Sequence, residues 1–339
     1  MDRRNALLLA VIAVAALTVA AILFVASDDT STVSTSPAAQ PSTGTPSSAQ
    51  GTTDGSTRPS STTSSTAAAQ TTTSTVADTP QPTLAPGTTA CSPYRSITRA
   101  GVIASPDLVE ASGMAASRVE PGVVWAHNDS RDGARVYAIG PNGEDLGGFD
   151  VAGASAFDWE DMAAAPDPGT ANSFLYFGDI GDNFAIRGGR ITVYRVPEPD
   201  PRTHSGPIEG AVALEFIYPD GIYNAEALFV ADDSIYIVTK DREEARVYRG
   251  SATREDSDVA TLELLAVVSV GDEVSGADIS WDGATIAFRG YNSVWMWHRE
   301  PGTTVAETLA EEPCDAPSPD EVQGEAIAFL DNNAVSYTH

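Results

Sequence analysis

The chain has 339 residues and carries 47 acids against 19 Lys and Arg, a formal net charge of −28 at neutral pH. A field of that sign repels nucleic acid and anionic lipid, which excludes nucleic-acid binding, and it suits cations and cationic partners. Solubility by itself also accounts for a charge of this size.

Residues 5–26, NALLLAVIAVAALTVAAILFVA, contain no charged side chain. The run is long enough to cross a bilayer as a helix. Arg3 and Arg4 precede it, and Asp28 and Asp29 follow. The positive-inside rule then leaves residues 1–4 as a cytoplasmic tip and puts the remainder outside the cell, held by a single-pass signal anchor. A cleaved signal peptide is the rival reading. Its apolar region is usually shorter, and Phe24-Val25-Ala26 is a poor cleavage site.

Residues 27–90 are almost entirely Ser, Thr, Ala, Pro, Gly and Gln. Such a composition cannot bury enough apolar surface to offset its ordering entropy, so a disordered linker is expected. As a flexible coil it spans roughly 45 Å. Residues 1–90 hold five acids and three Arg, which leaves −26 for the segment 91–339. That segment is long enough for one domain with a sizeable core. Cys91 and Cys314 are the only cysteines. In an exported chain such a pair is read as a disulfide.

A short phrase recurs along 91–339. It reads Ser-Gly-Met-Ala at 112–115, Glu-Asp-Met-Ala at 160–163, Glu-Ala-Leu-Phe at 226–229, Ala-Asp-Ile-Ser at 277–280 and Glu-Ala-Ile-Ala at 325–328. After each phrase come a turn and a β-branched or aromatic run: 123–126, 174–177, 235–238, 285–288 and 334–337. Third runs lie at 135–138, 191–194, 246–248 and 294–297, and outer strands are expected at 145–151, 211–218, 261–270 and 303–309. Four short strands per repeat predict an all-β fold, a β-propeller of about five four-stranded blades. The last unit is short, since the sequence stops at His339 before its third and fourth strands. Residues 95–105 are expected to supply an outer strand to that blade.

Ser280-Trp281-Asp282-Gly283-Ala284-Thr285-Ile286-Ala287-Phe288 resembles the S-P-D-G-x-x-I-A-F motif of TolB-type and WD40-like propeller repeats. With Ala126–Ser130, Asp158–Asp161, Gly178–Asn183 and Asn224–Ala227, it is similar to a group of secreted bacterial propeller proteins over about 105–339. Some of that group are called phytase- or esterase-like. The resemblance implies the fold and leaves the activity open. Trp281 departs from the motif, which has Pro there.

Propeller inner strands begin near a central channel. The phrase therefore gathers Glu160, Glu226, Asp278 and Glu325 as a candidate acidic ring, with Asp161 beside it. Gly178-Asp179-Ile180-Gly181-Asp182-Asn183 adds Asp179, Asp182 and Asn183 in a glycine-flanked loop. Asn128, Asp129 and Asp241 stand at neighbouring strand ends. Crowded carboxylates with Asn suit Ca²⁺. The competing reading is that these acids accept backbone N–H groups and lock neighbouring blades. His127 is a candidate base, ligand or structural histidine. No nucleophile elbow, P-loop or dinucleotide fingerprint is present.

Two functions remain in view. One is an extracellular binding or scaffolding module for a protein or small ligand. The other is a metal-dependent hydrolase of esterase, lactonase or phosphoesterase type. A phosphate substrate needs a cationic clamp, and Lys240, Arg242 and Arg289 are the candidates.

Overall fold

The computed structural model describes residues 83–337, apart from 95, 130–131, 168–169, 171, 254–257, 319–322 and 333. The segments expected to form a cytoplasmic tip, an anchor at 5–26 and a linker, up to residue 82, lie outside the described residues. Among the described residues no helix is long and apolar enough to cross a membrane.

Four antiparallel sheets follow one another in the order that the repeats predict. The first joins β1 (Ala111–Ala116), β2 (Val124–Asn128), β3 (Arg135–Ile139) and β4 (Asp145–Asp150). The second joins β5 (Trp159–Pro166), β6 (Ser173–Asp179), β7 (Arg190–Pro197) and β8 (Val212–Ile217). The third takes β9 (Ala225–Ala231), β10 (Ser234–Thr239), β11 (Ala245–Ser251) and β13 (Glu263–Val268). Between its last two strands, the short β12 (Ala260–Thr261) leaves to pair in parallel with β8 at the edge of the second sheet. The fourth joins β14 (Val274–Ile279), β15 (Thr285–Gly290), β16 (Val294–His298) and β17 (Cys314–Ala316). A two-stranded hairpin of β18 (Ile327–Phe329) and β19 (Val335–Tyr337) completes the order.

The first strand of each sheet packs beside the first strand of the next: β1 beside β5, β5 beside β9, and β9 beside β14. Strand β18 touches both β14 and β1. This is the arrangement of propeller blades, and apolar layers fill the gaps between them. Trp125, Trp159 and Phe177 are buried between the first two blades, where the Trp159 and Phe177 rings stack with centroids 4.6 Å apart. Phe216, Leu228 and Tyr248 fill the next gap, and Phe229, Phe288 and Trp297 the one after. Removing each such side chain from water contributes roughly 1.5–3 kcal/mol.

Two sequence expectations fail. The outer strand expected at 303–309 is a short helix, α1 (Val305–Leu309), and Cys314–Ala316 takes the strand's place. Thr304 and Glu307 form a capping box, each side chain accepting the other's backbone N–H. That reciprocal satisfaction favours a helix start over a strand. Residues 96–105 form no strand. Instead the Ala104 N–H donates to the Gly143 carbonyl at 2.8 Å, at the turn between β3 and β4. The neighbour of the hairpin is the segment just upstream. Ala90 and Tyr94 pack with Ile327 and Phe329, and the Cys91–Cys314 disulfide, with Cα atoms 6.0 Å apart, ties that segment to β17.

Candidate functional site

Each inner strand of the four sheets opens with a β-bulge, and the bulge fixes which residues are equivalent. In the second, third and fourth sheets the extra residues are Glu160, Glu226 and Ser275; in the first the shift falls at Ser112–Gly113. A bulge sharpens the bend and re-aims a side chain at the start of a strand. The Ser112 hydroxyl donates to the Glu160 carbonyl of the next blade at 2.6 Å, and Ser275 makes the matching bond to the Gly324 carbonyl at 2.7 Å. Blade four therefore matches the repeat through Ser275-Gly276-Ala277, two residues before the phrase at 277–280. Asp278 lies deeper in its strand than the ring position.

Asp278 accepts from the Ile279 N–H at 2.8 Å and the Phe329 N–H at 2.7 Å, joining blade four to the hairpin. Burial pushes its pKa up to about 6, against the pull of those two N–H groups and Arg118. Asp161 has no solvent exposure. One oxygen accepts from the Met162 N–H at 2.8 Å, and the other takes both the Leu228 N–H at 2.9 Å and the Ala277 N–H at 3.1 Å. One carboxylate thus connects the inner strands of blades two, three and four.

The glycine-flanked loop is held by its own polar side chains. Asp179 accepts from the N–H groups of Phe157 and Asp158 and pairs with Arg187. Asp182 accepts from the Ile186 N–H at 2.7 Å and the Arg187 N–H at 3.1 Å. The Asn183 side chain accepts from Asn224, whose own side-chain oxygen takes the Asp182 N–H at 2.6 Å. Asn128 likewise pins 109–110, and Asp241 caps its own turn.

The structure brings Glu160 against two further carboxylates, one of them from the preceding blade. Asp129 follows β2 and Asp158 precedes β5, and one oxygen of each residue lies within 4.8 Å of the others. Gly181 leaves them room: a Cβ there would collide with Glu160 Oε1 and Asp158 Oδ2, so both carboxylates would have to move. Glu160 is 5% exposed, and its carboxylate makes no hydrogen bond among the described residues. Its pKa is raised, first by burial and then by Glu226, Asp158 and Asp129. Asp158 is raised by burial and by Asp129, and Glu325 is pushed up to about 7 by burial and by Glu226. Glu226 is buried and bonded to Lys240 Nζ at 2.6 Å. Burial alone would lower the Lys240 pKa, but the Glu226 carboxylate outweighs it and raises it.

Glu226 is thus close enough to perturb both Glu160 and Glu325, whereas Asp161 and Asp278 act inside the blade contacts. Asp158, part of the Asp158–Asp161 motif, stands outside the candidate set read from the sequence. Its signal was the i, i+2 spacing from Glu160, which the bulge makes hard to interpret. His127 is fully buried, with Nδ1 2.8 Å from the Asn128 carbonyl and its ring packed edge-on to Trp159. Burial lowers its pKa.

No protein-family model matches the chain, and no curated protein matches it. Among solved structures, a nidogen/laminin complex is similar at 11% identity and a TM-score of 0.40, covering 67% of this chain and 71% of that one. A mitotic checkpoint complex is similar at 12% identity and a TM-score of 0.33, over 66% of this chain and 59% of the other. Hydrazine synthase of Kuenenia stuttgartiensis is similar at 17% identity and a TM-score of 0.25, over 45% and 35%. Likeness at that level carries no functional inference, and the propeller assignment rests on the strand pairing of this chain.

Proposed function

We propose that this chain is a binding module: a propeller displayed outside the cell on a membrane anchor and a long linker, which takes a cation, Ca²⁺ by its chemistry, at its acidic mouth. The uncharged run 5–26 after Arg3 and Arg4 supports the anchor. The two-stranded hairpin between β14 and β1 is the inner half of a fifth blade in this reading. The observation that carries the cation site is the Glu160 carboxylate. Glu160 is only 5% exposed, no hydrogen bond to its carboxylate is made among the described residues, and that carboxylate lies within 4.8 Å of Asp129 and Asp158. Oxygen ligands of Ca²⁺ sit about 2.3–2.6 Å from the ion, so oxygens up to about 5 Å apart can share one. A divalent cation there would neutralise a cluster that otherwise repels itself.

The cationic groups that the hydrolase reading needs are engaged elsewhere. Lys240 pairs with Glu226, Arg242 lies 3.4 Å from Asp272, and Arg289 is fully buried with Nη1 2.9 Å from Ser318 Oγ. The test is thermal unfolding with and without Ca²⁺. At about one hundred times the dissociation constant, a ligand adds about 2.7 kcal/mol, worth roughly 5–10 °C in a domain of this size. Glu160→Gln should lose that gain while remaining at least as stable as the wild type in chelator. A wild-type midpoint indifferent to millimolar Ca²⁺, or an equal gain in the variant, overturns the site.

A further inference from the structure

Lys240 is the only lysine in the chain, and it is paired with an acid of the mouth. The register of the bulged strands shows what stands in its place in the other blades. In each of the four sheets one residue lies just beyond the last paired position of the second strand. These are Asp129 after Asn128, Ile180 after Asp179, Lys240 after Thr239 and Tyr291 after Gly290. The Asp129 and Lys240 N–H groups make matching bonds, each 2.9 Å long, to the carbonyls of Glu110 and Asn224, which directly precede their own inner strands.

Blades two and three carry the same bulge acid, Glu160 and Glu226, and differ at this place. Lys240 Nζ lies 2.6 Å from Glu226 and sits over the Tyr291 ring of the next blade, 5.1 Å from its centroid. In blade two the place is taken by Ile180, which is fully buried and brings no charge. In blade one it is taken by Asp129, whose carboxylate joins those of Asp158 and Glu160. The mouth is therefore divided. Its Glu226 side contains a cation of its own, as a buried acid requires. Its Glu160 side gathers three carboxylates, and the buried Glu160 carboxylate makes no hydrogen bond among the described residues. Burial raises the pKa of both Glu160 and Glu325, and Lys240 pulls each back down, so its charge reaches both.

We infer that Lys240 is a built-in counter-ion that sets how many cations the mouth accepts: it neutralises Glu226 and leaves Asp129, Asp158 and Glu160 as the place for a single divalent ion. An ammonium and an added ion in one mouth repel each other, so Lys240 also holds down the affinity for Ca²⁺. The inference rests on the proposed cation site and goes beyond it by naming the residue that governs its stoichiometry and strength.

Calorimetric titration of calcium chloride into the purified full-length chain tests it. The wild type should take up one equivalent. Lys240→Met removes the charge from a side chain of similar length, and should bind Ca²⁺ about tenfold more tightly or take up a second equivalent. Lys240→Arg keeps the charge and should behave as the wild type; a gain shared by this variant overturns the inference. If Lys240→Met does not fold, the comparison moves to a Glu226→Gln background, where removing the lysine strands no carboxylate at that position. Adding Lys240→Met there should again tighten binding about tenfold. Unchanged or weaker binding on loss of the lysine overturns the inference while the cation site stands. Binding by Lys240→Met but not by the wild type sinks the native cation site and upholds the inference. No binding by either overturns both.

Discussion

Asp161→Ala separates the two roles that buried acids can have in this fold. The wild-type carboxylate has no solvent exposure and accepts the Leu228 and Ala277 N–H groups from the inner strands of blades three and four. Alanine leaves both without an acceptor. A buried N–H left unsatisfied costs about 1–3 kcal/mol, so the pair predicts a loss of about 2–6 kcal/mol. The Met162 N–H loses its acceptor as well. For a domain of this size the loss lowers the melting temperature by roughly 4–24 °C. Equilibrium denaturation should show a lower midpoint at an unchanged slope, since the surface exposed on unfolding is the same. The loss should be the same in Ca²⁺ and in chelator. A midpoint indistinguishable from wild type refutes the three-blade lock, and a loss that Ca²⁺ abolishes makes Asp161 a metal ligand instead.

Other outcomes are open to direct measurement. Replacing both Cys91 and Cys314 with Ser releases a link across 223 residues of sequence and should cost about 2–5 kcal/mol, read as a lower denaturation midpoint relative to the oxidised wild type. A pH series tests the carboxylate cluster. The pKa values of Glu325, Asp158 and Glu160 are raised in the folded chain, so their protonated forms are the ones that folding favours. The associated stability is fully present below the unfolded carboxylate value of about 4.3 and is lost as pH rises through the folded values. In chelator the melting temperature should therefore fall between about pH 5 and about pH 8 by more in the wild type than in Glu325→Gln; equal slopes would remove Glu325 from the cluster. Thr304→Ala breaks the capping box and should destabilise by about 1 kcal/mol, detectable as a small fall in midpoint with no change in Ca²⁺ response.

The blades were legible because a strand's side chains alternate and its turns need particular residues, and both are local. Ile235–Val238, bounded by the Asp232-Asp233 turn, could be assigned without any knowledge of its neighbours, and β10 (Ser234–Thr239) includes all four residues. The disulfide pairing followed from there being only two cysteines in a chain whose N-terminus reads as an export signal. Residues 303–309 form a helix where the repeat implies a strand, because the local T-x-x-E capping signal prevails over the repeat pattern. Tertiary structure alone decided the roles of the acids. A bulge displaces one side chain without changing the apolar pattern, so Ser275 could not be matched with Glu160 from sequence, and Asp278 stood in its place. Whether an acid locks blades or faces its like depends on which N–H groups lie within reach. Asp161 meets Leu228 and Ala277, 67 and 116 residues away, and Glu160 meets Asp129 from the preceding blade. Those distances are set only when the blades close around their common centre.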